Sequence, residues 1–136
     1  LPKDGGRMVR VFSEVVTEMV RAGKENKELG EFTEYLKEVS KKLTSLTMEL
    51  AGQAMADREV AGAVASHYLN LFALTTLAYT WCVQVKHAIE NDTPNKATKL
   101  KTARYFMHKV LPEHETLVRQ INSWKSNLME FDVEEF

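Results

Sequence analysis

Apolar residues recur at helical spacing in four long runs of this chain, and the third run departs from the pattern of the others. From about 7 to 24, Val9, Phe12, Val16, Met19 and Val20 fall on one face, which predicts an amphipathic helix. Asp4-Gly5-Gly6 ahead of it reads as a turn. From about 28 to 56, Leu29, Phe32, Leu36, Val39, Leu43, Leu46 and Leu50 step alternately by three and four. That spacing is a heptad seam, and beside an apolar neighbour it fits an antiparallel seam inside a bundle better than a free coiled coil. The neighbour runs over 58–91, where Val60 to Ile89 reads VAGAVASHYLNLFALTTLAYTWCVQVKHAI. Its large apolar residues cannot share one face, which predicts a buried helix. Asp57 is its candidate cap. The last run spans about 94–129: Leu100, Ala103, Met107, Val110, His114, Leu117, Ile121, Trp124 and Leu128 again step by three and four. Thr93 is placed to cap it, with Pro94 at the first helical position. Pro112 removes a backbone donor inside this run, so a kink near Lys109 or a short break is expected. The acidic tail from Glu130 to Phe136 is expected to fray.

Four such runs predict an all-α fold, an up-down four-helix bundle of long antiparallel helices forming one domain over 1–136. Three flanking helices coat a helix that is apolar all round only in part. Some of Leu71, Leu74, Tyr79 or Trp81 is therefore expected to face outward, where a second subunit or another domain packs.

Composition narrows the class. Hydrophobic content of 44% and charged content of 27% are those of an ordinary globular domain, and the length suits a single core. The stretch from Ser66 to Ala88 is long enough to span a bilayer. It carries His67, Asn70, Gln84, Lys86 and His87 and lacks a flanking basic cluster, so no membrane span is expected. A net charge of −1 gives no overall pull toward nucleic acid. Cys82 is the only cysteine, which excludes an intramolecular disulfide and fits a reduced, cytoplasmic setting. In an apolar helix it is expected to be structural rather than reactive. The opening LPKDGGR is polar, unlike a secretory leader. A start at Leu1 rather than Met points to a fragment of something longer.

Candidate chemistry is sparse. None of His67, His87, His108 and His114 has a glutamate three residues before it, as the Glu-x-x-His pairs of a di-iron bundle require. His87 and Glu90 alone are too few for a metal centre, so no metal ligand is assigned. His114, on the apolar seam, is expected to be a satisfied core residue or a partner of the kink. His67 and Asn70 are polar groups in a helix read as buried, and need hydrogen-bond partners. The chain has no glycine-rich phosphate loop, no Gly-x-Ser-x-Gly elbow and no nucleophile–base pair at a recognisable spacing, so no catalytic residue is assigned. One charge feature stands out. Lys96, Lys99, Lys101, Arg104 and Lys109 lie between Thr93 and Pro112 with no acid among them, and the rest of the chain carries −6. A functional reading is contact with phosphate, for instance on a nucleotide cofactor, with Lys99 and Arg104 as candidate cofactor-binding residues. The structural alternative is a solvated face, or one docked on an acidic neighbour. A nucleic-acid reading of the same stretch would require steep salt dependence of binding.

Three motifs then meet a known family. Tyr68-Leu69-Asn70-Leu71-Phe72 runs on to Trp81. Lys99-Leu100-Lys101-Thr102-Ala103-Arg104-Tyr105-Phe106 follows, and then Val110-Leu111-Pro112. Together they resemble the C-terminal helical domain of the long, FAD-dependent acyl-CoA dehydrogenases, over Asp4 to about Ile121. Ala73 stands where that family commonly has glycine, and Thr76 and Leu77 where small residues are common. The resemblance implies an accessory, non-catalytic domain at the C-terminal end of a larger flavoenzyme. That enzyme would oxidise an acyl-CoA thioester across its α and β carbons in fatty-acid or related acyl-CoA catabolism. Flavin, CoA and the catalytic base would belong to an upstream dehydrogenase core, which this domain would dock on, and the domain would help set a homo-oligomer. No residue here matches the family's catalytic carboxylate. A stand-alone helical protein–protein interaction module is the alternative reading.

Overall fold

A computed structural model describes the backbone of residues 3–54 and 58–128, with side chains over 7–51, 62 and 64–123. The described residues are all-helical, without a strand. Helix α1 is Lys3–Glu25, α2 is Lys27–Ala54 and α3 is Arg58–Asn91. Helix α4, Lys96–Tyr105, passes through a π-helical turn at Phe106–Val110 and a two-residue turn to α5, Glu113–Leu128. The candidate cap Asp57, the side chains of Trp124 and Leu128, and the tail from 130 lie outside the described residues. None of the described helices is long and apolar enough to cross a membrane.

Helix α1 begins before the expected turn: Asp4-Gly5-Gly6 lies within it. Glycine weakens a helix by about 1 kcal/mol without forbidding it. The joint between α1 and α2 is the single residue Asn26. Its Oδ1 accepts the N–H groups of Glu28 at 3.0 Å and Leu29 at 3.3 Å, the arrangement of an N-cap. So short a joint brings the two helices together at once, and glycine makes room. A Cβ on Gly30 would lie 2.7 Å from the Gly23 carbonyl oxygen, and one on Gly23 would lie 1.9 Å from Thr33 Oγ1.

Successive helices reverse direction. Val9 of α1 shares a groove with Ala51 of α2 at the far end of that pair. Thr47 of α2 hydrogen-bonds Tyr68 of α3 at 2.6 Å, while Leu29 lies beside Ile89 at the opposite end. Gln84 of α3 meets Lys99 of α4 at 2.8 Å. The α4–α5 rod runs alongside α2 in the same sense, tied through Lys96–Glu28, Arg104–Glu31, Tyr35–His108 and Lys42–His114. The seven seam residues of α2, from Leu29 to Leu50, are all buried, so the heptad pattern marks the layer that faces α1 and α3.

Helix α3 is not buried all round. Leu71 and Leu74 point into the core, and Tyr79 and Trp81 are half-buried. The residues turned outward are Leu69, 66% exposed, Leu77, 49%, and Val83, 40%. Asn70 faces solvent and His67 is half-buried. The buried polar group is instead Thr75, whose hydroxyl donates to the Leu71 carbonyl at 2.8 Å.

Two further expectations are corrected. Helix α3 ends with Asp92 at φ 45° and a bond from Thr93 N–H to Ala88 O at 3.3 Å, the Schellman arrangement. Thr93 is thereby committed to closing α3. Its carbonyl accepts from Lys96 N–H at 3.0 Å, and α4 starts only at Lys96, behind Asn95. Among the described residues the buried Thr93 Oγ1 has no hydrogen-bond partner. The second concerns Val110, expected on the apolar seam. It is 37% exposed, and Leu111, at 2%, takes the core position. Pro112 cannot donate a helical hydrogen bond, and its ring would clash with the carbonyl four residues back. The chain widens instead into a π turn, closed by Leu111 N–H to Phe106 O at 2.9 Å. The wider turn holds one extra residue, so Leu111 replaces Val110 in the core while His114, Leu117 and Ile121 keep the expected seam.

Candidate functional site

The basic stretch of α4 was the strongest chemical signal in the sequence, and the fold spends most of it internally. Lys96 pairs with Glu28 at 3.1 Å. Lys99 donates to Gln84. Arg104 makes a two-pronged contact with Glu31, Nε to Oε2 at 2.5 Å and Nη2 to Oε1 at 3.0 Å, and its guanidinium lies 5.7 Å from the centre of the Phe32 ring. The Arg104 hydrogen bond holds the Glu31 carboxyl below its ordinary value, and Glu31 in turn raises Arg104. Lys101 and Lys109 face solvent. The two candidate cofactor contacts are thus engaged on different helices, Lys99 with α3 and Arg104 with α2.

The motif residues around Arg104 have packing roles of the same kind. Ala103 is fully buried, and Phe106 lies 6.5 Å from Trp81 across the α3–α4 contact. Small residue, cation and aromatic together seat α4 on the two helices beside it.

Below the π turn the fold gathers a cluster that the sequence hides. His114 is buried. Its Nδ1–H donates to the Leu111 carbonyl at 2.7 Å, which leaves Nε2 to accept from the Lys42 ammonium at 3.1 Å. Lys42 also reaches Glu38 at 3.5 Å. Ligand-capable atoms of Glu38, His114 and Glu115 lie within 4.8 Å of one another, a grouping that could accept a cation. Lys42 already supplies that cation, and the positive end of the α5 dipole disfavours a second one there. His114 is therefore a satisfied histidine that fastens the break in α4–α5 to α2. One turn up, Tyr35 Oη meets His108 Nε2 at 2.9 Å. No local motif announces these pairs, because their members lie more than 70 residues apart.

Two surfaces remain. Between α1 and α2 an open groove of about 670 Å³ is lined by Arg21, Lys24, Lys37 and Lys41, with Ser13, Thr17, Ser40, Thr44 and Ser45 between them. None of these four cations is in an ion pair among the described residues, and hydroxyls beside them suit anionic groups. Two of the hydroxyls are already used, Thr17 toward Ser13 O and Ser40 toward Lys37 O. The sequence reading missed this groove because its cations sit on two helices. The second surface is the outward face of α3, which carries Leu69, Leu77 and Val83.

Cys82 is fully buried, and burial pushes its thiol up to about 12. Lys99 and Arg104 are bound to neighbouring helices.

Searches of curated proteins and of solved structures returned no match. A family model described as acetyl-CoA dehydrogenase C-terminal like matches residues 11–132. That span takes in all three motifs and the helices that they join, and the chain belongs to the acetyl-CoA dehydrogenase C-terminal-like family.

Proposed function

We propose that this chain is the accessory C-terminal domain of a FAD-dependent acyl-CoA dehydrogenase, itself non-catalytic. Its four rods would form an up-down bundle docked on an upstream core of the same polypeptide. The observation that carries the reading is the family match over residues 11–132. It is supported by the burial of Ala103 and Phe106 and the engagement of Arg104, since the family motif then serves packing. Flavin and CoA chemistry, the oxidation of an acyl-CoA in fatty-acid or related catabolism, is assigned to the core. Lys99 and Arg104 act in this reading as clamps between helices. The setting is cytoplasmic, and the assembled enzyme a homo-oligomer.

The test is to express the natural reading frame, including whatever segment precedes Leu1. The purified protein is expected to carry flavin absorbance and to reduce a dye when given acyl-CoA. A protein with neither property would overturn the reading. The alternative, a stand-alone interaction module, is favoured by the bare apolar face of α3. It predicts a reading frame that opens close to Leu1.

A further inference from the structure

We infer that the groove between α1 and α2 binds a small soluble phosphate ester with two or more negative charges, of the bulk of a nucleoside diphosphate. Such a site stands on this chain's own side chains and needs neither the flavin core nor a second subunit.

Charge supplies the first reason. Arg21 and Lys24 on α1 face Lys37 and Lys41 on α2 across one open groove, with no acid in its lining. Each pair spans a single helical turn, about 5–6 Å of axis. Like charges one turn apart repel, and so do like charges across a groove. Elsewhere the fold gives its cations partners: Lys42, Lys86, Lys96 and Arg104 all hold glutamates. Among the described residues none of the four groove cations does, although Glu18, Glu34 and Glu38 stand within a turn of them along the chain. Positive charge concentrated in this way is matched by an anion from solution.

Neutral donors stand beside it. Ser13, Thr44 and Ser45 line the same groove, and among the described residues their hydroxyls donate to no protein group. Hydroxyls and cations that converge on one space suit the several acceptor oxygens of a phosphate.

The borders select the size of the occupant. Glu14 and Glu18 line the adjoining groove toward the start of α1. Glu25 follows Lys24, and Glu34 precedes Lys37 by one turn. A nucleic-acid strand or an anionic bilayer presents charge well beyond one turn and would meet these exposed carboxylates. A compact anion does not. The rest of the lining, Val16, Val20 and Met48, is apolar, and Met48 is 73% exposed. A polarizable thioether suits a flat ring, so the ligand carries an organic part beside its phosphates. The groove volume of about 670 Å³ is that of a small-molecule site.

Isothermal titration of the 136-residue chain in magnesium-free buffer of low ionic strength tests this, with ADP and inorganic pyrophosphate as probes. ADP should bind saturably at one site per chain and tighter than pyrophosphate, and both should weaken several-fold in about 0.15 M salt. Lys37→Gln and Lys41→Gln should each weaken both probes about tenfold. The urea midpoint of either variant should stay unchanged or rise, because repulsion is relieved, whereas a merely structural lysine would lower it. Met48→Ala should weaken ADP and leave pyrophosphate unaffected. Lys101→Gln, which removes an equal charge from the exposed face of α4, should change neither. The proposal is overturned by no saturable binding up to about 5 mM, by ADP binding no tighter than pyrophosphate, or by equal weakening in Lys101→Gln. Stronger retention on anionic vesicles or single-stranded DNA than of ADP overturns it too. None of these outcomes touches the flavin assay, so the two readings fail separately.

Discussion

Gly30 has no room for a methyl group. Its nearest obstacle is the Gly23 carbonyl, part of the backbone, which cannot rotate away. Gly30→Ala is expected to cost about 1–3 kcal/mol by overpacking, outweighing the roughly 1 kcal/mol of helix propensity that alanine returns. Urea unfolding monitored by circular dichroism measures the difference, and an alanine variant as stable as the parent would contradict the close approach. A second residue with a definite signature is Glu31. Arg104 holds its carboxyl below the ordinary value of 4.5, so the pair's contribution is complete above that value and is lost as pH falls through the lower folded one. Both side chains are about two-fifths exposed, which limits the effect to about 1 kcal/mol or less. Unfolding curves between pH 6 and pH 3 should show a shallower loss of stability for Glu31→Gln than for the parent. Asn26 was legible as the end of a run. The glycine contacts around it were not, since Gly23 and Gly30 meet only after the chain reverses.

At the scale of elements, periodicity was a reliable guide wherever a helix has one wet face. The seam of α2 is buried from end to end, because a charged back face leaves it one way to turn. The same logic failed for α3. A helix with few charges reads as buried all round, yet the pattern cannot distinguish a face covered by its own chain from one left for a partner. It also missed one position near Pro112, where the chain forms a π turn and Leu111 rather than Val110 is core, while Met107, His114, Leu117 and Ile121 are buried as the spacing predicts. Proline announced the break, but the compensating extra residue is a property of the folded turn. A pair of variants separates the two registers. Val110→Lys should change stability by less than about 0.5 kcal/mol, and Leu111→Ala should lose about 2–4 kcal/mol. The unshifted register predicts the reverse order in thermal or urea unfolding.

For the whole molecule, Cys82 reports on integrity. It sits in the middle of α3, fully enclosed, and burial raises its thiol from 9.0 to about 12. An alkylating reagent at neutral pH is expected to label it only when the fold opens, so its labelling rate should track added urea. Rapid labelling of the native chain would place α3 elsewhere. The sign of the pH effect follows from the same shift. Below pH 9 the thiol is protonated in both states and contributes no slope. As pH rises from 9 toward about 12 the unfolded thiol ionises first, and stability falls. The basic stretch of α4 belongs to this scale as well. Read along the chain it is a surplus of charge, and in the folded protein three of its five cations are held by α2 and α3.

By itself the sequence determined that the chain is helical, where most of its helices turn, which face of α2 is core, and that Pro112 interrupts the last rod. These are consequences of local spacing and backbone chemistry, which act within a few turns. The three motifs also carried the family. Tertiary structure alone decided that Lys42 satisfies His114, that Glu31 takes Arg104, that Leu111 rather than Val110 enters the core, and that Leu69, Leu77 and Val83 stand outside it. Each depends on which helix lies alongside which, and that is set by the summed packing of the whole chain rather than by the neighbours of any one residue.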